Sequence, residues 1–288
     1  MTLVIWAEGR LVGSDEAALS AVDHGITVGD GVFETCTVFD GQVFALTRHL
    51  ARLERSARGL GLDAPDAGKV RDGVAAVLDA ATREAGPFDG RLRITVTAGV
   101  GPLGSGRVAG AQTVVVAAQD GAMTPTSHSA RSPWPRNERS PIAGLKTTSY
   151  AENVVALADA KAKGADESIL PNTVGALCEG TGSNVFVERD GELLTPTLES
   201  GCLAGITRAL VLEWGAEAGL PVREAGVDEL PFTVLDDVTA GRAQLALTSS
   251  GRNVQPVTWL DGAPVAAGEV TLAVREVFEK NCRERLDP

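Results

Sequence analysis

The chain is short of the residues that most often mark an enzyme site at sight. Its 288 residues include one tyrosine, three histidines, four cysteines and five lysines. The histidines do not stand at metal-ligand spacing, so no zinc centre and no other metal is expected. Cys36, Cys178, Cys202 and Cys282 are scattered without a Cys-x-x-Cys pair, which reads as free buried thiols in a reducing cytoplasm. No apolar run approaches the length of a membrane span. The start of the chain lacks the basic-then-apolar pattern of a signal peptide. The expectation is therefore a cytoplasmic protein with no membrane partner. Positive charge is also scarce. Lysine and arginine total 26 against 38 acidic residues, a formal charge of −12. That balance argues against nucleic acid as a partner, because phosphate backbones need basic surface. A single small anion remains possible, since a few local donors suffice. What is present is ordinary for a globular protein, with 44% hydrophobic and 22% charged residues, enough for one large domain or two smaller ones.

The first part is rich in strand signals. Leu3 to Trp6 and Arg10 to Val12 flank a short turn, and Val32 to Phe39 and Val43 to Leu46 flank Asp40-Gly41, a favoured hairpin turn. Thr47 reads as a helix N-cap, with Leu50, Leu53, Ala57 and Leu60 at helical spacing behind it. Gly68 to Ala85 reads as a second helix, and Leu92 to Ala98 and Thr113 to Ala118 as strands. The pattern is an α+β layer. The polar stretch from Gln119 to Ser132 reads as a linker, so the expected organisation is a small domain over 1–118, a linker over 119–129 and a larger domain over 130–288. In the second part, Glu152 to Lys163, Gly205 to Ala218 and Val270 to Asn281 read as helices. Glu167 to Leu170, Gln244 to Thr248 and Pro256 to Leu260 read as strands, and Val185 to Thr195 as a hairpin around Asp190-Gly191.

Among the five lysines one is set apart. Lys69, Lys161, Lys163 and Lys280 lie in polar, helix-like stretches, whereas Lys146 follows an apolar run and is surrounded by Thr147, Thr148 and Ser149. The only tyrosine, Tyr150, comes four residues later. Such a lysine suits Schiff-base chemistry with an aldehyde cofactor, the plain alternative being a buried stem with its head in water. Other segments carry weaker signals. Gly99 to Gly104 fits Gly-x-Gly-x-x-Gly, but no helix follows and Pro102 interrupts it, so it reads as a loop and not a dinucleotide site. Gly201 to Arg208 runs a small-residue turn into a helix, either a plain N-cap or an anion holder. Thr248-Ser249-Ser250-Gly251 ends a strand with donors that a phosphate can use. Glu179, beside a glycine-rich turn, is either a surface charge or a buried acceptor for a protonated ring nitrogen. Arg52 sits among inward helix positions, where a buried guanidinium needs an anion, a helix-face salt bridge being the bland alternative. A Schiff-base lysine, a ring-nitrogen acid, a phenol and separate phosphate donors together describe a pyridoxal phosphate site.

These residues fall in ordered motifs: Gly29-Asp30-Gly31-Val32-Phe33-Glu34-Thr35, His49-x-x-Arg52-Leu53, Leu145-Lys146, Glu179-Gly180-x-Gly182-x-Asn184-Val185-Phe186, Gly205-Ile206-Thr207-Arg208, and a serine turn before Val254-Gln255-Pro256-Val257. Over nearly its whole length the chain resembles the fold-type IV pyridoxal 5'-phosphate enzymes, which include branched-chain and D-amino acid aminotransferases, (R)-amine transaminases and aminodeoxychorismate lyases. The resemblance implies two domains, the small one α+β and the larger one with a mostly antiparallel β core and flanking helices. It also implies a homodimer, because in that family a loop from a second subunit completes the site. By the same resemblance Lys146 is the aldimine lysine and proton shuttle, Glu179 binds the pyridine nitrogen, and Arg52, Ile206, Thr207 and Ser250 hold the phosphate. Tyr150 stands near the phenolic oxygen, one residue out of the branched-chain offset. Phe33 lines the substrate pocket.

The reaction is less clearly written. The Thr-Arg-Gly turn that takes the substrate carboxylate in well-known D-amino acid aminotransferases reads Thr97-Ala98-Gly99 here. Arg93 matches an arginine of the branched-chain enzymes without its flanking residues. Arg252, just past the serine turn, is a second candidate, with Ser249 and Gly251 of that turn also expected at the substrate pocket, a structural ion pair being the alternative for both arginines. The leading expectation is transamination from a D-amino acid or (R)-amine to a 2-oxo acid. Aminodeoxychorismate lyase is the runner-up, and branched-chain L-amino acid transamination comes third.

Overall fold

The computed structural model describes residues 2–110 and 112–288. Its contacts divide the chain into two units. One holds Met1–Ala122, Leu145–Tyr150 and Arg285–Pro288, and the other Met123–Gly144 and Ala151–Glu284.

The first unit is a six-stranded antiparallel sheet under two long helices. Along the chain come β1 (Leu3–Ala7), β2 (Arg10–Val12), the short α1 (His24–Thr27), β3 (Gly31–Phe39), β4 (Gln42–Val43), α2 (Leu46–Gly59), α3 (Ala67–Ala85), β5 (Gly90–Thr97) and β6 (Thr113–Asp120). The strand order is β2-β1-β6-β5-β3-β4. Alternation does the sorting. Val32, Cys36 and Val38 of β3, Leu92, Ile94 and Val96 of β5, and Val114, Val116 and Ala118 of β6 join Leu53 and Ala57 of α2 and Val70, Val74, Val77 and Ala81 of α3 in one core. The turn Asp40-Gly41 has positive φ at both residues, 49° and 74°, as a primed hairpin turn requires.

One expected helix start is corrected. Thr47 is not the N-cap of α2; Ala45 is, in left-handed conformation and with no side-chain cap. The expected strand stops at Val43, because the chain turns at Ala45, whose N–H goes to Leu286 O. Thr47 instead donates its N–H to Asp287 Oδ1 and its hydroxyl to Oδ2.

The second unit holds β7 (Ser127–Arg131), α4 (Ala151–Ala162), β8 (Glu167–Pro171), β9 (Leu177–Gly180), β10 (Asn184–Arg189), β11 (Glu192–Thr195), α5 (Ile206–Glu217), β12 (Val222–Glu224), α6 (Val234–Thr239), β13 (Gln244–Ser249), β14 (Asn253–Leu260), β15 (Ala263–Pro264) and α7 (Glu269–Glu284). The sheet runs β12-β11-β10-β13-β14-β7-β8-β9 and is mostly antiparallel. Strand β9 returns to β10 through the pair Glu179 and Asn184, which closes six strands into a ring. Ile169, Leu177, Val185, Val187, Leu245, Leu247, Val257 and Leu260 fill its core with α6. Trp214 of α5 lies against Phe278 of α7, centroids 5.2 Å apart.

The stretch read as a linker contains a strand. β6 runs on to Asp120, and β7 begins at Ser127 between β8 and β14, parallel to both. Ser127-His128-Ser129 looks like loop because its serines are polar, yet both are buried, and Asp166 takes the Ser127 hydroxyl. The Lys146 stretch also differs from the expected division, since it belongs to the first unit and not to a continuous 130–288 domain. Its backbone runs beside the start of β3, with Phe33 N–H on Lys146 O and Thr148 N–H on Gly31 O.

Candidate active site

In the first unit, Lys146 is held from two sides. Its carbonyl accepts from Phe33 at 3.0 Å, and its own N–H donates to Ser56 Oγ of α2 at 3.2 Å. Thr148 and Ser149 hydroxyls both reach Gly29 O at 2.9 Å. Gly59 lets Leu145 approach the helix, because a Cβ there would lie 2.7 Å from Leu145 Cδ2. The side chain of Lys146 then meets Phe33, with Nζ 4.4 Å from the ring centroid. Arg93 of β5 lies over the same ring, Cζ at 3.8 Å, and Tyr150 forms a T-shaped pair with it, centroids 5.4 Å apart. The buried phenyl thus gathers the Lys146 amine, a guanidinium and the only phenol, two of them in cation–π contact. Of the residues singled out from the sequence, this unit brings together Lys146, Tyr150, Phe33 and Arg93.

Arg52 is also there, and its anion is now visible. Glu34, on an inward position of β3 and wholly buried, takes Arg52 Nε on Oε1 at 2.8 Å and Nη2 on Oε2 at 2.7 Å. His49 Nδ1 meets the same Oε2 at 2.7 Å. Burial by itself would raise the Glu34 pKa, but the Arg52 charge and the hydrogen bonds from Arg52 and His49 outweigh it and pull it down to about 2. Burial lowers the His49 pKa despite Glu34, and its Nδ1–H donates a hydrogen bond to the carboxylate. Both partners stand in the sequence motifs, which gave neither of them a role. Glu34 takes a core position of β3 in line with Val32 and Cys36.

In the second unit, Glu179 of β9 is buried at the ring closure. Oε2 accepts Leu203 N–H at 2.9 Å, and Oε1 lies 3.3 Å from Arg136 Nε. Arg136 Nη1 donates to Asn153 Oδ1 at 2.9 Å, and Asn153 donates on to Thr181 O. The surface-charge reading of Glu179 is thereby set aside. Arg136 was missed, since it lies in an irregular proline-flanked loop where no periodicity points inward.

Glu167 ties down the glycine-rich turn, accepting the Thr181 N–H and hydroxyl and the Ser183 hydroxyl. Asn184 donates to Leu203 O at 2.8 Å, and Gly205 presses on it so closely that a Cβ would stand 1.9 Å from Asn184 Oδ1. The loop before α5 is therefore fastened to the turn after Glu179. Helix α5 opens at Ile206 and Thr207 with Gly205 as N-cap and no side-chain cap, an end suited to an anion.

Ser249, Ser250 and Gly251 form the β13–β14 turn, closed by Arg252 N–H on Ser249 O and by Gly251 N–H on Ser249 Oγ. Arg252 does not stand ready as a carboxylate clamp. Its Nη1 is on Asp166 Oδ1 at 3.0 Å and on Gln255, and Nη2 is on Asp166 O, with Glu167 at 3.6 Å. That is the structural ion pair of the alternative reading. Among the described residues no cluster of metal-ligating side chains is found.

The model of one family, amino-transferase class IV, matches residues 31–260. A Methanocaldococcus jannaschii protein whose name assigns it provisionally to the branched-chain-amino-acid aminotransferases is 33% identical over 96% of this chain and 95% of its own length. A D-alanine aminotransferase of Bacillus licheniformis is 30% identical over 90% of this chain and 89% of its own. Among solved structures, the branched-chain aminotransferase of Thermoproteus uzoniensis with norvaline superposes with a TM-score of 0.83 at 28% identity, covering 96% of this chain and 93% of that one. An isolated lysine on a braced backbone, a braced buried carboxylate and an uncapped helix end thus occur in a chain matched along nearly its full length, and the chain belongs to the class IV aminotransferase family.

Proposed function

We propose that this protein is a pyridoxal phosphate-dependent transaminase whose amino donor carries a carboxylate and an apolar side chain. The donor set fits the cofactor: an amine for its aldehyde, a braced carboxylate for its ring nitrogen, and an arginine and an uncapped helix N-terminus for its phosphate. When bound, the ring supplies an electron sink that makes the donor's α-hydrogen acidic. Lys146 then serves as the base and acid that moves that proton between carbon positions. Glu179, held by Leu203 N–H and Arg136, keeps the ring nitrogen protonated. Arg52, Ile206, Thr207 and Ser250 orient the phosphate, and Tyr150 the phenolic oxygen. The four described cysteines are free and buried, which supports a reducing cytoplasmic setting. A homodimer is proposed from the resemblance.

One observation carries the choice of donor. Arg93 and Lys146 share the Phe33 ring, with Tyr150 at its edge. A guanidinium near the amine fits a carboxylate, and the aromatic wall fits an apolar side chain. This favours amino acids over the (R)-amine half of the expectation. D-amino acids remain one hand of the class. The second reading, branched-chain L-amino acids, is favoured by Arg93 itself, which stands where the resemblance places an arginine of those enzymes. A half-reaction screen tests the proposal. Loss of the cofactor's absorbance band is expected with D- or L-forms of alanine, valine or leucine and not with either enantiomer of 1-phenylethylamine. Bleaching by (R)-1-phenylethylamine alone, or release of 4-aminobenzoate from aminodeoxychorismate with no amino acid reacting, refutes it.

A further inference from the structure

A carboxylate buried between a sheet and a helix is a costly choice. Glu34 alternates with Val32, Cys36 and Val38 on the core face of β3, where a leucine would pack. Buried ion pairs are often no more stabilising than apolar residues of the same volume. Stability therefore does not explain why an acid, an imidazole and a guanidinium share this layer. A demand for exact placement does.

The demand shows in what α2 carries. Arg52, Ser56 and Gly59 lie four and then three residues apart, on one face of the helix. Ser56 receives the Lys146 N–H, and Gly59 makes room for Leu145. The same helix face thus braces the lysine's backbone and, one turn earlier, bears the arginine. An arginine side chain left to itself is spread over many rotamers. Here Glu34 grips Nε and Nη2 at two points, and His49 holds the gripping carboxylate from the other side. The grip also balances the guanidinium's charge, so anion binding relies on aimed N–H donors more than on bare charge.

We propose that Glu34 and His49 are positioning residues that lock the Arg52 guanidinium at a fixed offset from Lys146, as a preset anchor for a phosphate monoester. The proposal rests on the pyridoxal phosphate reading above, and its test separates the two. Dissociation constants for pyridoxal phosphate and for pyridoxal, which lacks the phosphate, are measured on cofactor-free wild type, Glu34→Gln and His49→Gln. A glutamine at 34 cannot keep the two-point grip, because with its oxygen in the place of Oε2 its NH2 faces Arg52 Nε, another donor. Glu34→Gln is expected to weaken pyridoxal phosphate by about 10–100-fold, the range seen when partners that orient a ligand-holding side chain are lost, and to leave pyridoxal unchanged. His49→Gln moves the same ratio in the same direction by less, and it carries the test if Glu34→Gln does not fold. In an Arg52→Met background neither change adds further loss, because both act through Arg52. Equal weakening of both ligands, or full additivity with Arg52→Met, overturns the proposal and leaves the triad a purely structural device. Wild type that binds the two ligands equally removes the phosphate role of Arg52, and wild type that binds neither removes the cofactor reading itself.

Discussion

Arg52→Met strands Glu34 in the core of the first unit, and the consequence is a reversal in how stability responds to pH. In the wild type the folded pKa of Glu34 is about 2 against an ordinary glutamate value of 4.5. A depressed carboxylate contributes stability that is present above its unfolded value and lost as pH falls through the folded one. At about 1.4 kcal/mol per unit, that shift corresponds to about 3 kcal/mol at neutral pH. Glu34 is wholly buried, so solvent screening does not reduce the figure. Removing one partner of a buried pair independently costs about 3–5 kcal/mol. Without Arg52, burial dominates and the Glu34 pKa rises above its unfolded value. The sign then inverts, and stability falls as pH rises from the unfolded pKa through the folded one. The assay is urea unfolding of cofactor-free protein at pH 5.5 and pH 8. The variant is expected to lose about 3 kcal/mol at pH 8 and to recover part of it at pH 5.5. The double variant Glu34→Leu/Arg52→Leu is expected to lose much less at either pH, since no charge is stranded. A loss below about 1 kcal/mol at pH 8, the size of an exposed pair, or a variant no better at pH 5.5, refutes the assignment of Glu34 as an ionised core residue.

Two further outcomes follow from individual contacts. Glu188 is buried and accepts Val270 N–H, Thr271 N–H and the Thr271 hydroxyl at the start of α7, so Glu188→Ala should cost about 2–4 kcal/mol through the lost cap and the stranded donors. Thermal unfolding measures this, and an unchanged midpoint contradicts the capping role. Arg93→Gln should raise KM for the amino acid donor about tenfold or more, as loss of a charged hydrogen-bond partner does, while leaving pyridoxal phosphate binding unchanged. Steady-state kinetics with titrated cofactor checks it, and a KM that does not move removes Arg93 from the carboxylate.

What could be read from the sequence was what local chemistry dictates. Asp40-Gly41 and Asp190-Gly191 gave hairpins because Asp-Gly readily takes two positive φ values, and both turns have them. The same signal at Asp261-Gly262 was passed over, although it turns β14 into β15. Lys146 stood out by its isolation, and Glu179 by the glycine-rich turn beside it. What could not be read depends on contacts distant in sequence. Thr47 looked like a cap, but the chain enters α2 through Ala45, because Leu286 and Asp287 return to that corner. Ser127 and Ser129 looked like linker, because a strand whose polar groups meet Asp166 has no apolar alternation. Arg136 and Glu34 carry no local mark of their roles. An arginine finds Glu179, and a glutamate finds Arg52, only when strands and helices far apart in the chain have packed.

The central claim is that the Lys146 amine is the group that joins the cofactor. Borohydride treatment of the protein with pyridoxal phosphate, followed by peptide mapping, tests it directly. The expected result is one pyridoxyl adduct, on the peptide containing Lys146, and none in Lys146→Ala. An adduct on Lys69, Lys161, Lys163 or Lys280 instead, or persistence of a specific adduct in Lys146→Ala, contradicts the account.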